Sequence, residues 1–321
     1  MNIALQSAFQ AQYARTGILR NVGIDLEVTS VCDAVCGFCP REVMPDKKRF
    51  ISMELVERLA SEIQKTPPLF IVLCGVGESL LHPQIDRIVQ TLAATGARVE
   101  MTTHGGRMSV RRFEELVAHG LSCVNFSLNA VTADTHRAVM RLTNFQQIVD
   151  TLEDLIDLRQ RAYPEVGMHV SFVVSALNRH EVVDFVAYWR DKGLSKIWLH
   201  PVNNRNGLRD PQLEAADIDG FAQLYAGDGQ VRVDVFGHID EEDDLCKIAK
   251  NLIFISADGE MRLCAMDYRR VTSYGNLMHS GLEDMHRKRL LGYLHGEMNQ
   301  FCSGCDFCPA AMSKGAVPAR A

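Results

Sequence analysis

The sequence predicts an α/β fold: a partial barrel of six strand–helix units, followed by a smaller Cys-rich domain that contains a β-hairpin. Three observations predict it. Short β-rich runs alternate with segments of helical period from Gly23 to Pro201, a polar or glycine-bearing motif follows each run, and five of the ten cysteines fall in the last quarter. Such alternation requires parallel strands joined by right-handed crossovers. An open doubly wound sheet and a barrel both satisfy it. The motifs favour the barrel, because all six converge on one rim, whereas a doubly wound sheet gathers ligand residues at a single switch point.

In chain order the β-rich runs are Gly23 to Thr29, Leu69 to Cys74, Ala97 to Thr103, Ser122 to Leu128, Met168 to Val174 and Ser195 to Pro201. Helical spacing of apolar residues marks Met53 to Gln64, Gln84 to Ala94, Val110 to His119, Ala133 to Met140, Phe145 to Arg161 and His180 to Lys192. Ser52 and Ser109 stand as N-caps, and Asn144-x-x-Gln147 and Asn178-x-x-Glu181 resemble capping boxes. Gly96, Gly120 and Gly193 fall where helices should stop. Farther on, NLIFISADGEMRLCAM reads as two strands around Asp258-Gly259, a turn that returns Cys264 beside the loop holding Cys246. The expected organisation is an extension at 1–22, the barrel at 23–210, a linker at 211–240, the Cys-rich domain at 241–310 and a disordered tail at 311–321.

Composition narrows the function classes. At a working ~150 residues per domain, 321 residues make about two domains, and 47% hydrophobic against 23% charged residues is ordinary globular composition. Lys plus Arg number 34 against 40 Asp plus Glu, a net charge of -6, so no basic field exists to grip nucleic acid. No run reaches the ~18 apolar residues of a membrane span, and MNIALQSAFQAQYARTG lacks the charged-then-apolar order of a signal peptide. A cytoplasmic chain without a membrane or nucleic-acid partner is expected. In that reducing compartment the cysteines point to metal, redox or core roles instead of disulfides.

Spacing sorts the cysteines into three sets. Cys74 and Cys123 lie in apolar runs and read as small buried hydrophobes. Cys32, Cys36 and Cys39 form C-x3-C-x2-C after the first strand. Three thiolates this close reach one soft metal centre, and a structural zinc would take a fourth Cys or His that this loop lacks. One coordination position therefore stays open. In the last quarter, Cys302 and Cys305 join Cys246 and Cys264 to make four thiolates, a closed set that zinc and an iron–sulfur cluster both satisfy.

The C-x3-C-x2-C loop, Gly75-Val76-Gly77-Glu78 after the second strand and the six strand–helix units together resemble the radical S-adenosylmethionine superfamily, from Gly23 to Pro201. The resemblance implies a (β/α)6 TIM-like partial barrel. It implies that Cys32, Cys36 and Cys39 hold three irons of a 4Fe-4S cluster whose fourth iron is chelated by S-adenosylmethionine. Phe38 matches the aromatic usually found before the third Cys. Gly75, Gly77 and Glu78 resemble the motif that bonds the methionine amino group, reading GVGE where two adjacent glycines are commoner. A backbone edge without side chains allows close approach, and a carboxylate suits an ammonium. Ser127, Asn129 and the end of the fifth strand resemble ribose and carboxylate contacts, and His200, Pro201 and Val202 the adenine side. Arg137 or Arg141 is either a partner of the methionine carboxylate or a solvated helix-face charge. His104 stands where the family's T-N-G pattern has Asn, as a structural rim residue or a ligand contact.

The last quarter resembles the twitch extension, a shorter form of the SPASM domain, and Gly275-Asn276 fits that pattern. A full SPASM domain needs more cysteines for its two clusters than the five present. The resemblance implies one auxiliary 4Fe-4S cluster on Cys246, Cys264, Cys302 and Cys305. Cys308 is a surplus residue that substitutes for a ligand, lies behind the ligands or packs. The alternative for the domain is a structural zinc clip.

The chemistry implied is reductive cleavage of S-adenosylmethionine to a 5'-deoxyadenosyl radical that removes hydrogen from an unactivated carbon. An external one-electron donor such as flavodoxin or ferredoxin would supply the electron. A closed auxiliary cluster has no open iron for substrate, so it would accept an electron from the substrate radical, which favours a dehydrogenase-like oxidation. Asp267, three residues past Cys264, is either the base or a hydrogen-bonded hairpin carboxylate, and Glu27 on the first strand either points into the barrel or is a satisfied buried polar or rim residue. Peptide-modifying relatives often carry an added amino-terminal domain, which the 22 residues before the first strand cannot form. A small polar substrate such as a sugar, cyclitol or nucleoside is thus expected. Resemblance to molybdopterin-pathway cyclases is poorer, because the tail SKGAVPARA lacks their paired glycines. A peptide-modifying or bond-forming enzyme, and a non-catalytic cluster-carrying or zinc-stapled binding or electron-transfer protein, are the alternatives.

Overall fold

Alternation along the first strand sets the architecture. In β1 (Gly23–Glu27), Ile24 and Leu26 are buried in the main core while Asp25 and Glu27 take the opposite face, because successive strand side chains point to opposite sides. The division recurs in β2 (Phe70–Cys74), where Ile71 and Leu73 enter the core, and in β3 (Val99–Thr103), where Val99 and Met101 do. It continues in β4 (Leu121–Ser127), β5 (Gly167–Val174) and β6 (Lys196–Pro201), the last two through Val170, Phe172, Ile197 and Leu199. This computed structural model describes residues 19, 22–202, 218–234, 246–294, 302 and 305.

Six helices follow these strands: α1 (Met53–Ile63), α2 (Ile85–Ala93), α3 (Val110–Ala118), α4 (Ala133–Met140), α5 (Phe145–Ala162) and α6 (Val182–Trp189). Their apolar stripes, such as Val56, Leu59 and Ile63 of α1, close the core against the outer face of the sheet. The Ser52 and Ser109 hydroxyls accept from the Leu55 and Arg112 amides, as expected of N-caps. Gly96 and Gly120 take φ of 85° and 102°, the left-handed conformation that ends a helix at little cost only for glycine, whereas α6 already stops at Trp189 with an extended Arg190, and Gly193, φ 94°, turns the chain toward β6.

The capping-box expectations are corrected. Asn144 has φ -106° and ψ 33°, outside the extended conformation that aims a cap side chain at the first turn, and makes no cap bond. Asn178 instead accepts from the Ser175 amide at 2.8 Å and donates to the Asn129 carbonyl at 2.9 Å. Its supposed partner Glu181 accepts from the Val131 amide and the Thr132 hydroxyl, both at 2.6 Å. Both side chains are drawn into the β4–α4 loop, a long-range demand that local spacing cannot reveal.

The described residues form a nine-stranded sheet in the order β7-β6-β5-β4-β3-β2-β1-β8-β9, where β7 is Val231–Val233, β8 Leu252–Ile255 and β9 Met261–Arg262. From β1 to β7 neighbours in sequence are neighbours in space and all pairs are parallel. There is no strand-order reversal, so the sheet is a TIM-like partial barrel and not a doubly wound sheet.

The domain boundaries change in two places. Part of the expected linker is structured: α7 (Ile218–Leu224) and β7 extend the barrel by one more unit, Ile218 and Val231 supplying the apolar residues. The Cys-rich region shares the main sheet, since β8 pairs parallel with β1 and the hairpin strand β9 pairs antiparallel with β8. The reason is apolar: Ile253 and Ile255 join the same core as Ile24 and Leu26. α8 (Lys247–Asn251) and α9 (Leu282–Leu294) flank the hairpin. Buried Arg289 of α9 donates to the carbonyls of Ala249, Leu252 and Leu263 and so fastens α9 to this region. Most of the expected extension, the segment after Val202, Cys308 and the expected tail lie outside the described residues.

Candidate active site

The carboxyl ends of β1 to β4 enclose a cavity of about 160 Å³. Cys32, Cys36 and Cys39 line one side of it together with Phe38, and Gly75, Gly77 and Glu78 line another. His104 and Ser127, which follow or end β3 and β4, complete the ring. These motifs converge because each follows a parallel strand, and parallel strands deliver their carboxyl ends to one rim.

The GVGE motif is held by sterics as much as by hydrogen bonds. Gly77 packs so closely that a Cβ there would lie 2.1 Å from the Thr29 carbonyl oxygen and 2.8 Å from that of Val31. Gly75 has φ +131°, and its Cβ would lie 2.9 Å from Glu27 Cγ. Buried Glu78 accepts from the Leu80 amide through Oε1 at 3.0 Å and from the His104 amide through Oε2 at 2.9 Å. Its carboxylate is thus aimed by two backbone amides on different strand ends.

His104 joins this motif to the cysteine loop. The Gly106 amide donates to Nδ1 at 3.0 Å, which places the ring proton on Nε2. Nε2 then faces Asp33 Oδ1 at 2.9 Å and Glu78 Oε2 at 3.3 Å. Arg107 Nε holds the other Asp33 oxygen at 2.7 Å. Burial works against the Asp33 charge, yet the hydrogen bonds from Arg107 and His104 outweigh it and hold the carboxyl below its usual range. The acidic residue inside the C-x3-C-x2-C loop was not singled out by sequence reasoning, because its partners lie 71 and 74 residues away.

The donor set fits a soft cationic centre. Burial pushes the Cys32 thiol up to about 11, the Ala34 amide opposing and the charges of Glu78, Cys39 and Asp33 adding to the rise. A thiol this high keeps its proton unless a metal displaces it. Cys36 donates to Met140 Sδ at 3.5 Å, so a thioether supports the loop from α4.

Other expected contacts are corrected. Asn129 is fully buried with φ 61°, its Oδ1 accepting from the Val173 amide at 2.6 Å and its Nδ2 donating to Ser127 Oγ at 3.0 Å. It ties β4 to β5 and touches the cavity lining through Ser127 and through Met140 Sδ, to which Nδ2 donates at 3.1 Å. His200 does not line the cavity; it bonds Asp234 Oδ2 at 2.6 Å and stacks on Trp198 with centroids 5.9 Å apart. Val202 is buried and its amide donates to the Val174 carbonyl. Arg137 is exposed and pairs with Asp134, while Arg141 ends α4 in the left-handed conformation.

A second chamber, also about 160 Å³, shares Cys74, Gly75, Val76 and Tyr268 with the first. Glu27 and Arg270 face one another across it, Arg270 Nη2 donating to Glu27 Oε2 at 2.8 Å. Asp267 lines it too, but both its oxygens are used. Oδ1 accepts from the Val271 amide at 3.0 Å, and Oδ2 from the Thr272 amide at 2.8 Å and hydroxyl at 2.6 Å. These bonds fit the hairpin-carboxylate reading of Asp267.

Behind this chamber the hairpin brings distant thiols together. Burial raises the Cys264 thiol well above its ordinary value, the Met266 amide opposing and the charges of Cys246, Cys302 and Cys305 raising it further. Burial likewise pushes Cys302 up to about 12, with Cys246 and Cys305 adding to it. The four thiols thus lie near enough for their charges to act on one another. Asn276 braces the turn, donating to the Asp258 carbonyl at 2.8 Å, while Gly275 has φ +123°.

Comparison with known proteins agrees with this geometry. A probable GTP 3',8-cyclase of Saccharolobus islandicus (strain L.S.2.15 / Lassen #1) is 23% identical over 284 residues, 83% of this chain and 90% of the relative. A GTP 3',8-cyclase of Chlorobaculum tepidum is 26% identical over 213 residues, 63% of each chain. Cyclases therefore stand closer than the terminal residues led us to expect. Among solved structures, Streptococcus suis SuiB bound to precursor peptide SuiA superposes with a TM-score of 0.69 at 13% identity, over 88% of this chain and 68% of that one. BtrN in complex with AdoMet and 2-DOIA superposes with a TM-score of 0.59 at 16% identity, over 90% and 93%. Residues 26–188 match the Radical SAM superfamily, which spans the strands that carry both motifs, and the chain belongs to that superfamily.

Proposed function

We propose that the protein is an oxidoreductase that reductively cleaves S-adenosylmethionine and oxidises a small polar molecule, with an auxiliary 4Fe-4S cluster as electron acceptor. The observation that carries the reading is spatial order: the three-cysteine cavity and the second chamber share Cys74, Gly75, Val76 and Tyr268, and Ala265 of the second chamber follows Cys264, whose thiol feels the charges of Cys246, Cys302 and Cys305. When bound, the first cluster and S-adenosylmethionine supply a 5'-deoxyadenosyl radical. Cys32, Cys36 and Cys39 would hold that cluster, leaving one iron for the amino acid. Glu78, oriented by the Leu80 and His104 amides, would accept from its ammonium group. The shared wall of Cys74, Gly75 and Val76 keeps the reacting carbon beside the first cavity, and apolar Val76, Met44 and Phe254 limit water. A flavodoxin or ferredoxin would deliver the electron.

A second reading is bond formation on a purine nucleotide, favoured by the cyclase relatives that match 83% of the chain. Anaerobically reconstituted protein with dithionite and S-adenosylmethionine tests the shared step. Release of 5'-deoxyadenosine that disappears in Cys36→Ala supports a radical enzyme; equal release from that variant sinks it. An oxidised small molecule as product, against a cyclised nucleotide, separates the two readings.

A further inference from the structure

The second chamber is built around a charge pair that closes across the two halves of the chain. Glu27, at the end of β1, accepts through Oε2 from Arg270 Nη2 at 2.8 Å and from the Ala257 amide at 3.0 Å. Among the described residues its Oε1 accepts no hydrogen bond, although the side chain is almost fully buried and lines the chamber. A carboxylate oxygen at the chamber wall with lone pairs to spare can accept from a ligand donor. Gly75 packs so closely on Glu27 that a Cβ there would lie 2.9 Å from Glu27 Cγ, so Glu27 adjoins the GVGE motif.

We propose that this chamber is the substrate site and that Glu27 Oε1 accepts the hydroxyl proton of an uncharged or cationic polyol. The inference rests on the oxidative reading above and names its substrate class. Charge decides the class. The lining carries two carboxylates, Glu27 and Asp267, against the single guanidinium of Arg270. That guanidinium is already committed to Glu27, and behind it Asp258 accepts from Arg262 at 3.1 Å and from Arg270 at 3.5 Å. A nucleoside triphosphate would need several free cations, and the described lining residues offer none. Size agrees, because about 160 Å³ falls below the roughly 300–1,000 Å³ of pockets for larger ligands. Met44, Val76, Phe254 and Ala265 supply apolar walls for the faces of a small ring.

The step balances. The carbinol carbon would lose a hydrogen atom to a deoxyadenosyl radical and one electron to a cluster that Cys246, Cys264, Cys302 and Cys305 would hold. Its O–H bond breaks, the electron pair stays on oxygen to form the carbonyl, and the proton moves to Glu27 Oε1. Arg270 is a positioning residue that holds Oε2 and leaves Oε1 turned to the chamber.

Equilibrium binding to the reconstituted holoenzyme with S-adenosylmethionine present tests this, using myo-inositol, glucosamine and adenosine against glucose 6-phosphate and GTP. The expected result is that at least one of the first three binds and that Glu27→Gln weakens it at least about tenfold. The phosphorylated probes should not compete. Because Glu27→Gln leaves buried Arg270 with only the longer Asp258 contact at 3.5 Å, the double variant Glu27→Gln/Arg270→Met is run beside it, with melting and cluster absorption as fold controls. The proposal is overturned if none of the three binds below about 10 mM, if GTP binds more tightly, or if binding survives Glu27→Gln. Deoxyadenosine release by the parent is scored separately: its absence removes the radical reading while the binding data still decide the chamber.

Discussion

The Nε2 of His104 lies 2.9 Å from Asp33 Oδ1, and this contact couples the cysteine loop to the end of β3. Through its backbone amide and the same ring nitrogen, His104 also holds Glu78 Oε2. One imidazole thus sets the distance between the expected cluster loop and the expected ammonium acceptor.

Removing it should loosen binding of S-adenosylmethionine more than it harms the fold. His104→Ala deletes the side-chain bonds but keeps the amide bond to Glu78. Titration of S-adenosylmethionine into the reconstituted protein should show a loss of about tenfold, the size of one charge-assisted hydrogen bond. His104→Asn, which can donate to Asp33, should recover part of it. Equal affinity in all three proteins would show that the Asp33 contact positions nothing.

The two glycines of the GVGE motif should respond differently from a helix-stop glycine. At Gly77 a Cβ meets the Thr29 and Val31 carbonyls, which are backbone and cannot swing away. Gly77→Ala should destabilise by roughly 1–3 kcal/mol and abolish S-adenosylmethionine binding. At Gly96 a Cβ meets nothing within 4 Å, so only the φ of +85° opposes a side chain. Gly96→Ala should cost about 1 kcal/mol and spare binding. Melting temperatures with ligand titration check both.

The four-thiol set behind the second chamber predicts a metal count. If it carries an auxiliary cluster, reconstituted parent should hold about eight irons and Cys264→Ala about four, with the first cluster intact. About four irons plus one zinc in the parent would mark a structural clip instead. Arg289→Met, which strips donors from the Ala249, Leu252 and Leu263 carbonyls, should also lower the count, because it unfastens α9 beside Cys264.

Asp25 on the concave face predicts a pH dependence. Burial raises its carboxyl from 3.8 to about 6, the Cys74 hydrogen bond opposing. The folded state therefore holds its proton where the unfolded chain has released it, and stability falls as pH rises between about 4 and 6, then levels off. The full penalty is at most about 3 kcal/mol, at 1.36 kcal/mol per unit. Asp25→Asn should melt higher than the parent at pH 7 and show a smaller decline across that window. No gain at pH 7 would mean that Asp25 is ionised without cost.

The strand–helix alternation, the N-caps at Ser52 and Ser109 and the hairpin at Asp258-Gly259 were legible because each is a local pattern of period, cap or turn. So were the cysteine trio and the GVGE motif, whose neighbours in space are brought together by strand ends alone. The roles of Asp33 and Arg270 were not legible. Their partners are separated by 71 and 243 residues, and no local signal marks either. For Asp267 and Asn129 the residue type suits a site, and only the structure shows the hydrogen bonds they make at the turn after Cys264 and at the β4–β5 junction.

By itself the sequence determined the parallel α/β barrel and the superfamily, since period and motif spacing are properties of neighbours along the chain. Only the tertiary structure decided that the Cys-rich region continues the same sheet and that Glu27 meets Arg270 beside the motif. Those outcomes depend on which apolar faces and which unmet charges find one another after folding, and burial is a property of the whole molecule.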